Sequence, residues 1–586
     1  MTKKQARVIY INGSVVRAER ASGFAVRDMV IVGEKNLIGE VISVDGEVAT
    51  IQVYEETSGL RKGEGVETTS MPLSVKLGPG IIGNIFDGIQ RPLQKIYSMG
   101  NYTIPEGIGL ISIDDEKEWE TKICVSVGDF LKAGSCYATI EESLQITHRL
   151  LVPPTINGTV KSVKEDGLYT LEDSIVVLED EDKALHELKL YQMWPIRKAR
   201  PSIKRNAINK PLITGQRVID TFFPLAKGGT CAIPGGFGTG KTITQHQIAK
   251  WSDADIIVYI GCGERGNEIT EVLEDFPKII DPRSGKSIME RTILIANTSN
   301  MPVSAREASI YTGITIAEYY RDMGYSIAIM ADSTSRWAEA LREISGRLEE
   351  MPAEEGYPAY LPSRLAQFYE RAADVLTLEG KSGTVTIIGA VSPAGGDMSE
   401  PVTISTKRVV STFLALDKSL AYARHYPAIN WLNSYSGYTS TLQEWYDEFV
   451  TEEMFVLRGK FLRLLQEENA LSEIVKLVGE DILPDDQRLI LEISKTFKNG
   501  YLQQNAYHKD DACVSLKKQF RMLKIFDLLY ELSMQAIKKG KPLNVVVNSE
   551  IFYKVSMMKY NIDNEDSPKF EELEGELREY YNSLIG

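Results

Sequence analysis

A glycine-rich stretch in the middle of the chain has the spacing of a phosphate-binding loop. The pattern G-x-x-x-x-G-K-[ST] is matched by Gly235, Gly240, Lys241 and Thr242. A turn of this kind lets several backbone N–H groups point into one concavity that holds phosphate oxygens. A helix that begins inside the motif adds the positive end of its dipole there. The predicted nucleotide-binding residues of this loop are Gly235, Gly236, Phe237, Gly238, Thr239, Gly240, Lys241 and Thr242.

Two side chains of this loop have specific expected roles. Lys241 is expected to reach the β- and γ-phosphates, and Thr242 to place its hydroxyl on Mg²⁺. The alternative is a glycine-rich turn that Lys-Thr follows by chance. The flanking sequence disfavours it, because residues 231–233 are typical of the end of a buried strand and residues 243–251 of a helix.

Two carboxylates follow apolar runs that are typical of buried strands. Residues 326–330 lead into Asp332, which can hold Mg²⁺, and we expect it to do so through water. Residues 256–260 lead into Glu264, a carboxylate placed to orient water in line with the γ-phosphate bond. Arg265 could stabilise charge on the phosphates or hold Glu264 when no nucleotide is bound. The alternatives are a helix cap for Asp332 and ordinary salt bridges for Glu264 and Arg265.

The composition bounds the class of protein. The 586 residues correspond to three or four domains at about 150 residues each. The net charge of −15 argues against a surface that wraps nucleic acid, so no nucleic-acid partner is expected. Five scattered cysteines indicate reduced thiols and not a zinc site. We see no signal peptide and no apolar run of about 18 residues, so any membrane role is expected to come through partners.

Four regions follow from the patterning of the chain. Short strands separated by turn signals indicate a small barrel, and a second strand-rich block follows it. Alternating apolar strands and helices indicate a mostly parallel sheet covered on both faces. The predicted domains are an N-terminal β-barrel (1–72), a β-rich insertion (115–190), an α/β nucleotide-binding domain (73–114 and 191–435) and a C-terminal helical domain (436–586). The basic run within 197–205 is expected to be a solvated linker face, with nucleic-acid binding as the less favoured alternative.

Several motifs together resemble the catalytic (A) subunits of V-type/A-type rotary ATPases. The similarity covers essentially the whole chain. It includes the insertion at 115–190, which the F-type β subunit lacks. The motifs that carry it are residues 235–242, Gly-Glu-Arg-Gly-Asn-Glu at 263–268, and the stretches 297–322, 331–342, 356–361, 392–397, 430–435 and 501–506.

The resemblance implies a fold and an activity. The fold is multidomain α/β: an N-terminal β-barrel, a RecA-like P-loop central domain with a β-rich bulge insertion, and a C-terminal helical bundle. The activity is ATP hydrolysis with Mg²⁺, coupled through a rotating shaft to H⁺ or Na⁺ transport or, in reverse, to ATP synthesis.

It also implies partners and a location. Three such subunits would alternate with three non-catalytic B-type subunits in an A3B3 hexamer around central shaft subunits, with peripheral stalk subunits outside. The membrane rotor sector would be an indirect partner. The complex would lie on the cytoplasmic side of the membrane, with this chain in its peripheral part.

The family's site residues carry over by position. Lys241 and Thr242 match the phosphate and Mg²⁺ contacts, Glu264 the water-activating glutamate with Arg265 as its neighbour, and Asp332 the Mg²⁺-side aspartate. The adenine of relatives lies between aromatic side chains, which match Tyr426 and Tyr507. The alternative for both tyrosines is core packing.

Two departures from the family pattern concern the phosphate loop. Thr239 stands where eukaryotic members have cysteine, so thiol regulation at that position is absent and a bacterial or archaeal type is indicated. Gly236 stands where many relatives have proline, which should loosen the turn but keep its N–H groups.

The sequence leaves two classes of alternative function open. The first is another RecA-like hexameric ATPase, for secretion or RNA translocation. The second is a nucleotide-binding structural subunit that does not hydrolyse ATP.

Overall fold

The computed structural model describes residues 6–99, 104–107, 112–547, 549–565 and 567–585. The chain forms two structural units, and each is described by itself. The first contains Met1–Ala207, Gly228–Thr230 and Ala254–Val409. The second contains Ile208–Lys227, Cys231–Asp253 and Val410–Gly586.

A closed six-stranded barrel begins the first unit. In order around the barrel its strands are Ala6–Asn12, Val15–Glu19, Val48–Val53, Leu37–Asp45, Asp28–Val32 and Gly65–Pro72. Small aliphatic side chains such as Val30, Val41 and Ile51 fill its interior and are completely buried. The predicted N-terminal barrel is confirmed. Its last strand was missed because most of its side chains are polar and at least partly exposed.

Two four-stranded antiparallel sheets form the β-rich insertion. The first consists, in order, of Phe130–Leu131, Gly158–Val163, Ser174–Glu179 and Leu185–Lys189. The second consists of Thr147–Leu151, Cys136–Glu141, Trp119–Ile123 and Gly167–Tyr169. The Tyr137 hydroxyl joins the sheets by donating to the Lys189 carbonyl at 2.5 Å. Buried His148 lies between Glu142 and the Tyr319 hydroxyl, at 2.7 Å and 2.8 Å, and thereby fixes the insertion to the long helix described below.

A parallel sheet forms the centre of the first unit. Its strands, in spatial order, are Ser382–Val391, Ser326–Asp332, Ile256–Glu264, Thr292–Thr298 and Ile85–Phe86. Strand Ala373–Leu376 pairs antiparallel with the first of these and also with Lys204–Arg205, while Ser74–Leu77 pairs with Gln192–Pro195. The apolar runs are buried along their length, as expected for a sheet covered on both faces.

Six α-helices belong to the described part of the first unit. They are Leu93–Ser98, Gly266–Asp275, Val303–Asp322, Thr334–Arg347, Leu361–Tyr369 and Pro401–Val409. Short 3-10 turns occur at Phe276–Lys278, Ile288–Arg291, Glu354–Gly356 and Ala394–Gly396. The 20-residue helix Val303–Asp322 is buried along almost its whole length, although it contains five charged side chains.

Buried arginines compensate the charges of that helix. Arg197 bridges the barrel and the helix through Glu40 at 3.1 Å and Glu307 at 2.7 Å. Arg200 is 4% exposed and pairs with Asp322 at 2.6 Å. The prediction of a solvated linker face is therefore wrong for these two arginines, because the carboxylates that bury them lie far away in sequence.

The second unit combines a few short strands with helices. Strand Thr230–Pro234 runs parallel to Thr412–Phe413, which pairs with Tyr435–Ser436, and Pro211–Leu212 pairs with Leu225–Ala226. The α-helices are Lys241–Trp251, Lys418–Tyr422, Thr439–Phe449, Glu453–Val478, Asp485–Phe497, Leu516–Lys538, Leu543–Val546, Ser549–Asn561 and Ser567–Ile585. Two π-helical turns, Val218–Phe222 and Lys498–Leu502, and a 3-10 turn, Glu480–Ile482, complete the unit.

Aromatic rings form the core of the C-terminal helices. Phe497 stacks on Phe461 at 4.3 Å and on Tyr501 at 5.0 Å between ring centroids, and Phe526 meets it edge-on at 5.1 Å. The predicted C-terminal helical domain is confirmed. No helix among the described residues combines the length and apolarity needed to cross a bilayer.

Glu318 gives a test of the buried charges. Its carboxylate accepts two bonds from Arg371, at 2.7 Å and 3.0 Å, and one from the Arg200 N–H at 2.9 Å. Removing one partner of a buried pair leaves the other charge uncompensated, so Glu318→Gln should lower the free energy of unfolding by about 3 kcal/mol. Glu473→Gln, in an exposed pair with Lys476, should cost less than about 1 kcal/mol. Equal shifts in apparent Tm for the two variants would contradict this assignment.

The same pair predicts a pH dependence. Burial alone would raise the pKa of Glu318, but Arg371 outweighs burial and holds that pKa below its ordinary value. The stability that the ionised carboxylate contributes is present above its unfolded pKa of about 4.3 and is lost as the pH falls through the folded value. The difference in Tm between wild type and Glu318→Gln, measured from pH 7 to pH 3, should therefore narrow below about pH 4.

Candidate active site

The phosphate loop connects a buried strand to a helix in the second unit. The strand ends at Pro234, and the helix begins at Lys241. Gly240, the residue before the helix, has φ of +86°, a left-handed conformation that suits glycine. A Cβ on Gly235 would lie 2.5 Å from the Thr239 hydroxyl oxygen and 2.8 Å from Leu416 Cβ. The motif glycines are thus required by backbone shape and by close approach.

Hydrogen bonds brace the loop from within. The Lys241 ammonium donates to the carbonyls of Gly235 at 2.8 Å and Gly236 at 3.0 Å. The Thr239 side chain is buried, and its hydroxyl donates to the Gly236 carbonyl at 2.8 Å. The side chain that replaces the eukaryotic cysteine therefore stabilises the turn, and its expected contact with a nucleotide falls to its backbone.

The remaining side chains of the loop region are sorted by their positions. Phe237 is 79% exposed at the tip of the loop. Thr242 is half-buried in the first turn of the helix, whereas the Thr244 hydroxyl donates back to the Gly240 carbonyl at 2.8 Å. An ammonium, a threonine hydroxyl and N–H groups at the start of a helix form a donor set that fits a phosphate with its magnesium ion.

Two exposed tyrosines lie in the same unit. Tyr426 is 40% exposed, and its ring comes within 3.4 Å of the Cβ position of Gly240. Tyr507 is 93% exposed, and Gln504 of the same segment donates its N–H to the Tyr426 carbonyl at 2.8 Å. The exposure of both rings excludes the core-packing alternative. The structure thus brings Tyr426 to the phosphate loop and the Tyr507 segment to Tyr426.

Glu264 and Asp332 lie in the first unit. Each is the last residue of its strand, and the two strands are parallel neighbours in which Gly261 pairs with Asp332. Glu264 is half-buried, and Arg265 is exposed at the start of the helix Gly266–Asp275. Both carboxylates therefore end strands at the carboxyl edge of the sheet, where ligands of such sheets bind.

A β-bulge sets the direction of Glu264. The register with the neighbouring strand shifts between Cys262 and Glu264, which leaves Gly263 as the extra residue. Gly263 has φ of +70°, and a Cβ there would lie 2.8 Å from Arg336 Cβ and 2.9 Å from Arg306 Cδ. Bulges re-aim side chains next to active sites. The sequence analysis missed this bulge, although a glycine inside a strand pattern is its usual signal.

Asp332 is buried and hydrogen-bonded within its own unit. It is 2% exposed, and its Oδ2 accepts from the Tyr259 hydroxyl at 3.2 Å. The following helix, Thr334–Arg347, is preceded by Ser333 and has no side-chain cap bond, so the helix-cap alternative is wrong. A buried carboxylate beside a hydroxyl donor suits a metal-bound water.

Arg306 is a further residue that the sequence analysis assigned no role. It is 9% exposed, and its Nη2 donates to the Ser299 carbonyl at 2.7 Å. The Ser299 N–H in turn donates to the Glu264 carbonyl at 2.9 Å. Arg306 therefore supports the end of the strand that bears Glu264. An arginine in an otherwise buried helix was the available signal.

Four protein-family models match successive parts of the chain. They are the ATP synthase alpha/beta family β-barrel domain (8–70), the ATP synthase alpha/beta subunit barrel-sandwich domain (110–197), the ATP synthase alpha/beta family nucleotide-binding domain (215–436) and the C-terminal domain of V and A type ATP synthase (443–546).

Several relatives match almost end to end. A V-type ATP synthase alpha chain 2 of Clostridium tetani is 64% identical, covering 99% of this chain and 98% of the relative. A V-type ATP synthase alpha chain of Halothermothrix orenii is 58% identical, with 99% of each chain covered. The A subunit of the A-type ATP synthase of Methanopyrus kandleri is 52% identical, covering 99% of this chain and 98% of the relative.

A solved structure shares the fold at much lower identity. The assembled ATPase EscN from the enteropathogenic E. coli type III secretion system aligns with a TM-score of 0.63 and 20% identity, covering 89% of this chain and 99% of its own. That likeness concerns the fold alone. The relatives above share more than half of their residues with this chain over nearly its full length. The chain therefore belongs to the family of V-type and A-type ATP synthase alpha (A) subunits.

Proposed function

We propose that this chain is the ATP-hydrolysing catalytic subunit of a V/A-type rotary ATPase, an ion-translocating ATP phosphohydrolase that couples hydrolysis or synthesis of ATP to H⁺ or Na⁺ transport. One observation carries the proposal: two carboxylates, Glu264 and Asp332, end neighbouring parallel strands, and a bulge re-aims the first of them. The chain also retains a complete phosphate loop, which a hydrolytic role requires.

The phosphate side of the site has three groups of residues. The N–H groups of residues 235–240 and the Lys241 ammonium would bind the phosphate oxygens. Thr242 would hold Mg²⁺ directly, and Asp332 would hold it through water. When bound, Mg²⁺ neutralises charge on the β- and γ-phosphates. Lys241 already bonds to two loop carbonyls, so its ammonium is held at the loop before any phosphate arrives.

Glu264 is the proposed water-activating residue. Its carboxylate would accept a hydrogen bond from the attacking water and align it with the γ-phosphate bond. Arg265 would stabilise charge on the phosphates or hold Glu264 in the absence of nucleotide. Catalysis would consist of positioning and electrostatic stabilisation of an in-line attack, without a covalent intermediate.

The base side would be formed by Tyr426 and Tyr507. Both rings are exposed in the segments that meet at the Gln504–Tyr426 hydrogen bond. An aromatic face binds a base by stacking and tolerates no substitute that lacks a π surface. We therefore assign the adenine to these two rings.

The assembly is part of the proposal. Three copies would alternate with three B-type subunits around central shaft subunits, with peripheral stalk subunits outside and the membrane rotor sector as an indirect partner. A B-type neighbour would supply an arginine finger in trans. The chain would lie on the cytoplasmic side of the membrane and would not bind nucleic acid. The proposed domains are 1–72 (barrel), 73–114 with 191–435 (RecA-like), 115–190 (bulge) and 436–586 (helical).

Glu264→Gln tests the hydrolytic role. The amide keeps the size of the side chain but loses the carboxylate that orients water, so turnover of the chain mixed with its B-type neighbour should fall at least about 100-fold. ATP binding should be retained. Mg-ATPase rate and ATP affinity are measured on the same preparations.

Glu274→Gln is the matched control, because this glutamate is exposed ten positions further along. It should turn over like the wild type. A Glu264→Gln enzyme that kept most of its rate would place water activation elsewhere. An assembled wild type without turnover would favour the non-hydrolysing structural role, and RNA-stimulated turnover would favour a translocating ATPase.

Tyr426→Ala tests the base side. Loss of one stacking surface should weaken ATP binding by about 1–3 kcal/mol, and Tyr426→Phe should restore most of it. Affinity is measured by calorimetry on the full chain. Tyr553→Ala, which removes a 64% exposed ring from another helix, should bind ATP normally. Unchanged affinity in Tyr426→Ala would remove this tyrosine from the site.

A further inference from the structure

A buried carboxylate surrounded by cations underlies the segment that bears Tyr507. Asp511 and Arg217 are 0% exposed, Lys518 is 1% exposed and Lys559 is 4% exposed. Charges in such places are retained only when they are paired or hydrogen-bonded. The four residues come from three separate parts of the sequence, and neither the phosphate contacts nor the proposed water activation uses them.

Asp511 divides its two carboxylate oxygens between two partners. Oδ1 forms a close ion pair with Arg217, and Oδ2 accepts the Asn505 N–H at 2.7 Å. The Asp511 carbonyl accepts from the Gln504 side chain, also at 2.7 Å. One residue thus holds two consecutive positions of the segment, one by its side chain and one by its backbone.

The cations satisfy carbonyls that no helix or strand pairs. Arg217 donates to the carbonyls of Tyr501 at 2.6 Å and Gln503 at 2.7 Å. Lys559 donates to the Asn499 carbonyl at 2.6 Å, and Lys518 to the Asp510 carbonyl at 2.8 Å. Buried carbonyls need donors. The path of residues 499–511 is therefore set by these buried side chains.

Both tyrosines are one residue away from this arrangement. Gln504, held by Asp511, donates its N–H to the Tyr426 carbonyl at 2.8 Å. Asn505, also held by Asp511, accepts the Tyr507 N–H on its side-chain oxygen at 3.0 Å. Asp511 thus connects the two rings assigned to the base, while the phosphate loop has its own internal bonds.

We propose that Asp511 is a positioning residue for the base-binding side of the nucleotide site, which it fixes through Gln504 and Asn505 without acting on the phosphate side. The inference rests on the proposed assignment of Tyr426 and Tyr507 to the base. Loss of the carboxylate leaves the Asn505 N–H and the Arg217 guanidinium without their acceptor, so the Tyr507 segment shifts relative to Tyr426. Selectivity for the base falls, and affinity for the triphosphate is kept.

The neighbouring lysines allow the chain to accommodate a neutral residue at this position. Burial, together with Arg217, lowers the pKa of Lys518 to about 8. Burial also lowers the pKa of Lys559 to about 8, against the opposite effect of Asp511. Removal of the Asp511 charge lowers both values further, so these amines lose their protons near neutral pH and no unpaired lysine charge stays buried.

The test compares two ligands on the full chain. The Kd values of MgATP and of inorganic tripolyphosphate with Mg²⁺ are measured for wild type and Asp511→Asn. Asp511→Asn should weaken MgATP about 5- to 150-fold, the effect of losing one base-stacking contact, and change tripolyphosphate less than twofold. Asp486→Asn, which removes an exposed carboxylate, should change neither.

A double variant separates positioning from a general loss of structure. Tyr507→Ala should show the same split between the two ligands, and adding Asp511→Asn to it should weaken MgATP no further. If Asp511→Asn does not fold by circular dichroism, Asp511→Glu takes its place, because it keeps the charge but displaces the oxygens.

Each outcome decides the matter. Equal loss of MgATP and tripolyphosphate, no loss of either, or additive effects in the double variant would overturn the positioning role. A normal Asp511→Asn beside a defective Tyr507→Ala would overturn this inference and leave the base assignment standing. A wild type that bound neither ligand would overturn the proposed function and the inference with it.

Discussion

The register of three parallel strands is the constraint on which the candidate active site depends. Ile256–Glu264 lies between Ser326–Asp332 and Thr292–Thr298, and the ladder of hydrogen bonds fixes where each strand ends. A slip of one residue would turn every side chain to the opposite face. The buried aliphatic residues therefore position Glu264 and Asp332 without taking part in chemistry, and the bulge at Gly263 makes the last adjustment.

Buried ion pairs let a charged helix serve as the core of the first unit. Val303–Asp322 contacts the barrel through Arg197 and Glu40 and the insertion through Tyr319 and His148. A buried pair is weak evidence for net stability, but breaking one is costly, which favours a single arrangement of these elements. The strand end that bears Glu264 is supported by Arg306 of the same helix.

The second unit uses cations to hold backbone that regular structure does not pair. Lys241 donates to carbonyls of the phosphate loop, and Arg217, Lys518 and Lys559 donate to carbonyls of the segment that bears Tyr507. The two cases differ in exposure. Lys241 is only half-buried, so a phosphate can compete for its ammonium, whereas the other three are enclosed and act on position alone.

Local spacing in the sequence was enough to predict the phosphate loop, the strands that lead to Glu264 and Asp332, the barrel and the helical C-terminal region. These features depend on residues close together in the chain, whose periodicity and turn signals show directly. The burial of Arg197 and Arg200, the bulge at Gly263 and the support of the Tyr507 segment could not be predicted in the same way. Arg197 meets Glu40 across 157 positions, and Arg217 meets Asp511 across 294. Which groups are able to do chemistry is a local property of the sequence, but their burial, their partners and their direction depend on contacts between distant residues, and only folding creates those contacts.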